Sequence, residues 1–278
     1  IHKRGEIAMK NILKIMLMMI TIYTITGSAV YAAEIPVSDQ DQLITSRDWT
    51  EISNLQDEMK KEEPDATIDY DKALKVYVDC NLIKLQTADT KKLTSALESA
   101  NYVWVIPFKM EKTYGMFTVA KGLPLSEEAK SVLTKAEQEE VKNHAGKWMI
   151  TETAEHTVEP YYDILLEKRE ALSDCTRVVL VGSQPGMRQP VALGMDDETA
   201  RIWISLGYQY PVMEKIPETQ NVESGVYSFD SVAEISDTYI EDSEVSTGAG
   251  VQSRSSMKYV AGIGIIVIGS ILILSVLK

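Results

Sequence analysis

Histidine and cysteine are scarce in this chain, with three and two copies among 278 residues. Two cysteines exclude a disulfide-dense scaffold, and so few histidines leave no zinc-ligand spacing to read. The glycosylation pattern Asn-x-Ser/Thr is absent between residues 33 and 258, which suits a bacterial source. A sortase pentapeptide is missing too: Ser246-Thr247-Gly248 lacks the preceding Leu-Pro, so transfer onto a cell wall is not expected. Basic side chains run short, with 22 Lys and Arg against 40 Asp and Glu between Ala33 and Met257, a net charge of −18. That balance makes nucleic acid and anionic lipid headgroups poor partners, and its ordinary consequence is solubility.

Two uncharged apolar segments stand out against this polar background. The first, residues 12–25, follows Lys10 and drifts into Gly27-Ser28-Ala29-Val30-Tyr31-Ala32-Ala33. It is too short to span comfortably, and Val30 and Ala32 fit the small-residue positions of a secretory cleavage site. Residues 9–32 are therefore predicted to be a signal peptide, with 1–8 an upstream extension of a chain starting at Met9. The second segment, residues 259–277, is close to the ~20 apolar residues that a hydrocarbon core requires, which predicts a transmembrane helix. Only Lys278 follows it, so flanking charge does not decide orientation. The signal peptide does: it predicts an extracytoplasmic protein held in the cell membrane by a single C-terminal pass.

Between the two ends, periodicity alternates between helix and strand. Trp49, Ile52 and Met59 recur at helical spacing before Pro64, and Leu93, Ala96, Leu97 and Ala100 share one helical face after Asp89. Residues 74–78 read as a strand, and 102–110 with 114–121 as a β-hairpin. Pro107 lacks a backbone donor, so the first hairpin strand is expected at an edge or a bulge. A helix follows Ser126, with Gly146 past its end, then a strand over 148–151 and a helix from Pro160. Strands at 177–181, 191–193 and 200–205 close the pattern. The order helix, strand, strand thus occurs twice, a weak sign of repetition. Hairpins interleaved with helices predict an α+β fold over 33–216: a mainly antiparallel sheet with helices packed on one face. From 217 to 258 acids, Ser and Thr dominate and no basic residue occurs before Arg254. This reads as a flexible acidic stalk with a short amphipathic element around 227–240.

Chemistry is harder to find than architecture. Cys80 and Cys175 form one pair in an exported domain. A disulfide between them would close a loop of about 95 residues, worth about 4–5 kcal/mol in the chain-entropy model. The alternative is two buried thiols. Cys175 with His156 is the best nucleophile–base set on offer, because a thiol needs a neighbouring base to become reactive. No glycine-rich or aromatic signature surrounds Cys175, which favours a structural cysteine. Gly182-Ser183-Gln184-Pro185-Gly186 follows a strand but lacks the spacing of a hydrolase elbow. Its loop, carrying Gln184, Met187 and Arg188, is a candidate binding loop. Asp196-Asp197-Glu198 lacks the alternation of a calcium loop and reads as a hairpin turn. No metal or cofactor is expected. The favoured expectation is a non-catalytic binding or accessory domain at the bacterial surface with a protein or peptide partner. The alternative is an envelope hydrolase using Cys175 and His156.

Overall fold

The computed structural model describes residues 35–243, except 157, 183, 185, 186, 188, 209, 211 and 218–220. The expected signal peptide and transmembrane helix lie outside the described residues. Among those described, no helix is long and apolar enough to cross a membrane.

The chain opens with helices α1 (Trp49–Ile52) and α2 (Gln56–Glu62), then strands β1 (Thr67–Ile68) and β2 (Leu74–Tyr77). Helix α3 (Thr90–Glu98) leads to the hairpin of β3 (Tyr102–Lys109) and β4 (Tyr114–Lys121). Helices α4 (Glu127–Val132) and α5 (Lys135–His144) follow, then β5 (Trp148–His156) and α6 (Tyr161–Glu167). A meander of β6 (Arg177–Val181), β7 (Val191–Met195) and β8 (Ala200–Ile204) comes next, and β9 (Asn221–Glu223), β10 (Val226–Ser228) and α7 (Phe229–Ser243) complete the fold. All ten strands share one sheet, ordered β5-β4-β3-β2-β6-β7-β8-β10-β9, with β1 pairing β3.

Every pairing between named strands is antiparallel except β2 with β6, where Val76 lies beside Leu180 and Tyr77 beside Val181. From that central pair the chain meanders outward in both directions. The seam is short. Near its start, residues 36–43 lie beside both strands: Val37 bridges Val178 and Gln42 bridges Leu74, while the amides of Val178 and Leu43 donate to the carbonyls of Pro36 and Ala73.

The side-chain period of two sorts the strands onto two faces. One face carries Trp104, Ile106, Phe117 and Val119 under Ile52 and Met59. It continues into Val179, Leu193 and Trp203 under Leu93, Leu97 and Phe229. Leu74, Val76, Leu180, Ile202 and Ile204 face the other way, onto Tyr161, Leu165 and Leu172. Helices therefore cover both faces rather than one. The physical reason is the seam: central strands with apolar residues on both faces, such as Val178–Val181 of β6, need cover on each side.

Four further expectations are corrected. Pro107 sits within β3, between β1 and β4, but its carbonyl accepts from the Asp69 amide, so its missing donor faces the break between β1 and β2, where no ladder bond is lost. The helix after Ser126 is two helices, because Thr134 starts α5 with a capping box closed by Glu137. Strand β5 runs on to His156 instead of ending at residue 151. Finally, the domain does not stop at Ile216. Strand β10 pairs with β8, and Val226, Phe229 and Val232 are buried, with the Phe229 ring stacked on Trp203 at 5.7 Å between centroids and 14° between planes. The acidic composition of 217–243 conceals this face, because Asp230 and Glu234 take exposed positions of a helix that buries Phe229 and Val232.

A chain ending at Ile216 should therefore lose cooperative urea unfolding, whereas one ending at Ser243 should keep it. Phe229→Ala should cost about 3 kcal/mol in the same experiment.

Candidate functional site

The two cysteines sit on opposite faces of the sheet. Cys80 belongs to the cluster of Tyr77, Val181 and Met187, and Cys175 to that of Leu172, Val178 and Ile202. Both thiols are free and buried, so the second of the two expected states is the one observed. Gly194 makes room for Cys175: a Cβ there would stand 2.8 Å from Sγ. Burial is the main reason the Cys175 thiol is pushed up to about 11, with Asp196 and Asp174 adding to it. Cys80 rises to about 12, again through burial first and then Asp79. A buried thiol held protonated is a poor nucleophile. His156 ends strand β5, and its side chain lies outside the described residues. His144 is committed within α5, its Nδ1 2.9 Å from the Glu140 carbonyl.

The two described side chains of the expected binding loop, Gln184 and Met187, turn inward. Gln184 is buried and fully occupied: its Oε1 accepts from the Leu82 amide at 2.9 Å, and its Nε2 donates to the carbonyls of Cys80 and Gly182 at 2.6 and 3.0 Å. Met187 is buried in the core beside it. The side chain clamps the loop onto the turn after β2 and offers nothing to a ligand. Arg188 lies outside the described residues. Sequence reasoning took two prolines and two glycines as a sign of an exposed loop, when the amide between them anchors it.

A polar cluster that sequence reasoning missed lies at the seam. Asp41, 2 % exposed, accepts from Ser38 Oγ at 2.6 Å, Tyr77 OH at 2.9 Å and Arg177 Nη2 at 3.0 Å. Lys75 Nζ stands 3.6 Å from Asp41 Oδ1, the oxygen that Tyr77 also holds, and 4.5 Å from the centroid of the Tyr102 ring. Asp48 extends the network by accepting from Tyr102 OH at 2.8 Å and Trp104 Nε1 at 2.9 Å. Burial lowers the Lys75 pKa from its ordinary value, with Asp41 and Asp48 opposing that fall. The one trace in sequence is the alternation Leu74-Lys75-Val76-Tyr77, which places the lysine on the face of Tyr77. Neither cleft below reaches this cluster, so its chemistry is that of a structural tie.

Two shallow clefts mark the described surface. One, of about 250 Å³, is lined by Asp79, Cys80, Asn81, Leu85 and Ala96. The other, of about 330 Å³, lies between Ile164 and Lys168 on one side and Ser205, Gly207 and Gly225 on the other. Lys168 Nζ is spoken for there, donating to the Ser224 carbonyl at 2.7 Å and pairing with Glu223. Among the described residues no group of three His, Cys, Asp or Glu side chains is placed to hold a metal ion. Tested against known proteins, the chain matches no family model, no curated protein and no solved structure.

Strand β5 is the remaining open feature. It is nine residues long and ends the sheet, while the opposite end is the three-residue β9. A bulge at Thr118/Val119 sets Thr151 out of register, leaving 152–156 as its continuous outer stretch.

Two measurements follow. Asp41→Ala should cost about 3 kcal/mol in urea unfolding, because it leaves the half-buried Arg177 and Lys75 without the carboxylate they share. For the thiols, a folded pKa raised above the unfolded value of 9.0 contributes stability that is complete below pH 9 and is lost as pH rises through about 11 to 12. Ellman's reagent at about pH 8.5 should therefore label both thiols slowly in the native chain and rapidly after unfolding.

Proposed function

We propose that this chain is a membrane-anchored, extracytoplasmic, non-catalytic binding domain of a bacterial cell, acting on a protein or peptide partner. The placement of Cys175 carries the non-catalytic half of this reading. The best nucleophile in the sequence is packed against Gly194 under the sheet and held protonated, away from either cleft. The apolar segments at 12–25 and 259–277 support the address, the first as export signal and the second as anchor. The acidic surface supports solubility outside the cell and disfavours nucleic acid. Residues 244–258 then form the link between domain and anchor, shorter than composition alone suggests.

Protease added to spheroplasts should remove the domain from the membrane fraction and leave a protected fragment that contains 259–277. A domain that stays intact while a marker on the outer face is digested would overturn the extracytoplasmic orientation.

A further inference from the structure

Among the described residues, the stretch 152–156 of β5 is an unpaired sheet edge, with carboxylates on both faces. Register fixes which face each residue takes. Glu155 lies opposite Gly115 and Thr153 opposite Phe117, on the face of α2, whereas Glu152 lies opposite Thr118 and Ala154 opposite Met116, on the other. Glu152 and Glu155 are both exposed. On the α2 face Thr153 Oγ1 donates to Glu62, and Glu63 stands beside the pair. Burial, then Glu155 and Glu62, raise the Glu63 pKa from its ordinary value, which reports three carboxylates crowding one place.

Sheet edges of this kind recruit extended segments, with backbone hydrogen bonds supplying affinity and alternating side chains supplying selectivity. Charge selects the occupant here. A second copy of the chain is disfavoured, because pairing two β5 strands about this stretch brings Glu152 and Glu155 of one within two positions of the same residues of the other. An acidic or neutral strand leaves the crowding unrelieved. A strand with consecutive basic residues meets both faces, since neighbours in a strand point to opposite sides.

We propose that residues 152–156 of β5 bind an extended, basic polypeptide segment by strand addition, with Glu152 reading one face and Glu155, Glu62 and Glu63 the other. This deepens the binding-domain reading by naming the partner's chemistry.

The test uses the full chain in neutral detergent and a fluorescein-labelled peptide, Val-Lys-Lys-Val-Lys-Lys-Val. Anisotropy titration should show saturable binding by about 1 mM. N-methylation of alternate amides removes ladder donors without changing charge and should weaken binding at least about tenfold, as should Glu152→Lys with Glu155→Lys. Equal binding of the N-methylated peptide would reduce the effect to surface electrostatics and overturn strand addition. Absence of binding, or unchanged affinity in the charge-reversed chain, would overturn it as well. The N-methyl comparison uses the unaltered protein, so it holds even where the charge-reversed chain fails to fold. Failure of this proposal leaves the non-catalytic reading and the membrane topology standing, since those rest on Cys175 and on proteolysis.

Discussion

A buried carboxylate ties the two halves of this sheet at their seam, where the backbone pairing between the strands that meet is short. β2 and β6 pair over two positions only, and each begins a meander that runs away from the other. Asp41 stands where the seam is weakest and contacts a side chain from each strand, Lys75 from β2 and Arg177 from β6, while its own segment bridges both backbones. Burying three charges is expensive, and the network is tolerable because hydroxyls and aromatic rings complete its shell. Ser38, Tyr77 and the faces of Tyr102 and Trp104 supply that shell. The cluster thus specifies which segment fills the seam.

From that constraint the layering follows. A central strand with neighbours on both sides is apolar on both faces, so helical cover is needed above and below. α3 and α7 supply it on one side and α6 on the other. Toward the margins the requirement relaxes: α4 and α5 form an arm whose helices bury none of their described side chains, and β5 is left with an open outer edge. Function, under the proposal above, sits at that margin, because the interior is closed by packing.

The thiols illustrate why packing decides chemistry. In sequence Cys80 and Cys175 are a plausible disulfide and Cys175 a plausible nucleophile. Cys80 lies in the connection after β2 and Cys175 in the one before β6, on opposite faces of the sheet, and the missing side chain at Gly194 seats the second under the strands. The same applies to Gln184, whose amide satisfies three backbone groups that a turn between strands would otherwise leave unpaired.

What the amino-acid order determined by itself was local. Periods of two and 3.6 marked most strands and helices, and caps such as Asp89 and Ser126 marked helix starts, because these signals come from neighbouring residues. The α+β class and the antiparallel tendency followed from hairpins visible as adjacent runs. The parallel seam, the second covered face, the inclusion of β10 and α7, and the meeting of Asp41, Lys75 and Arg177 depended on contacts between residues up to 136 positions apart. No local period encodes such a contact. Only the tertiary structure decided them, through the need to bury apolar faces on both sides of one sheet and to pair every charge that burial takes out of water.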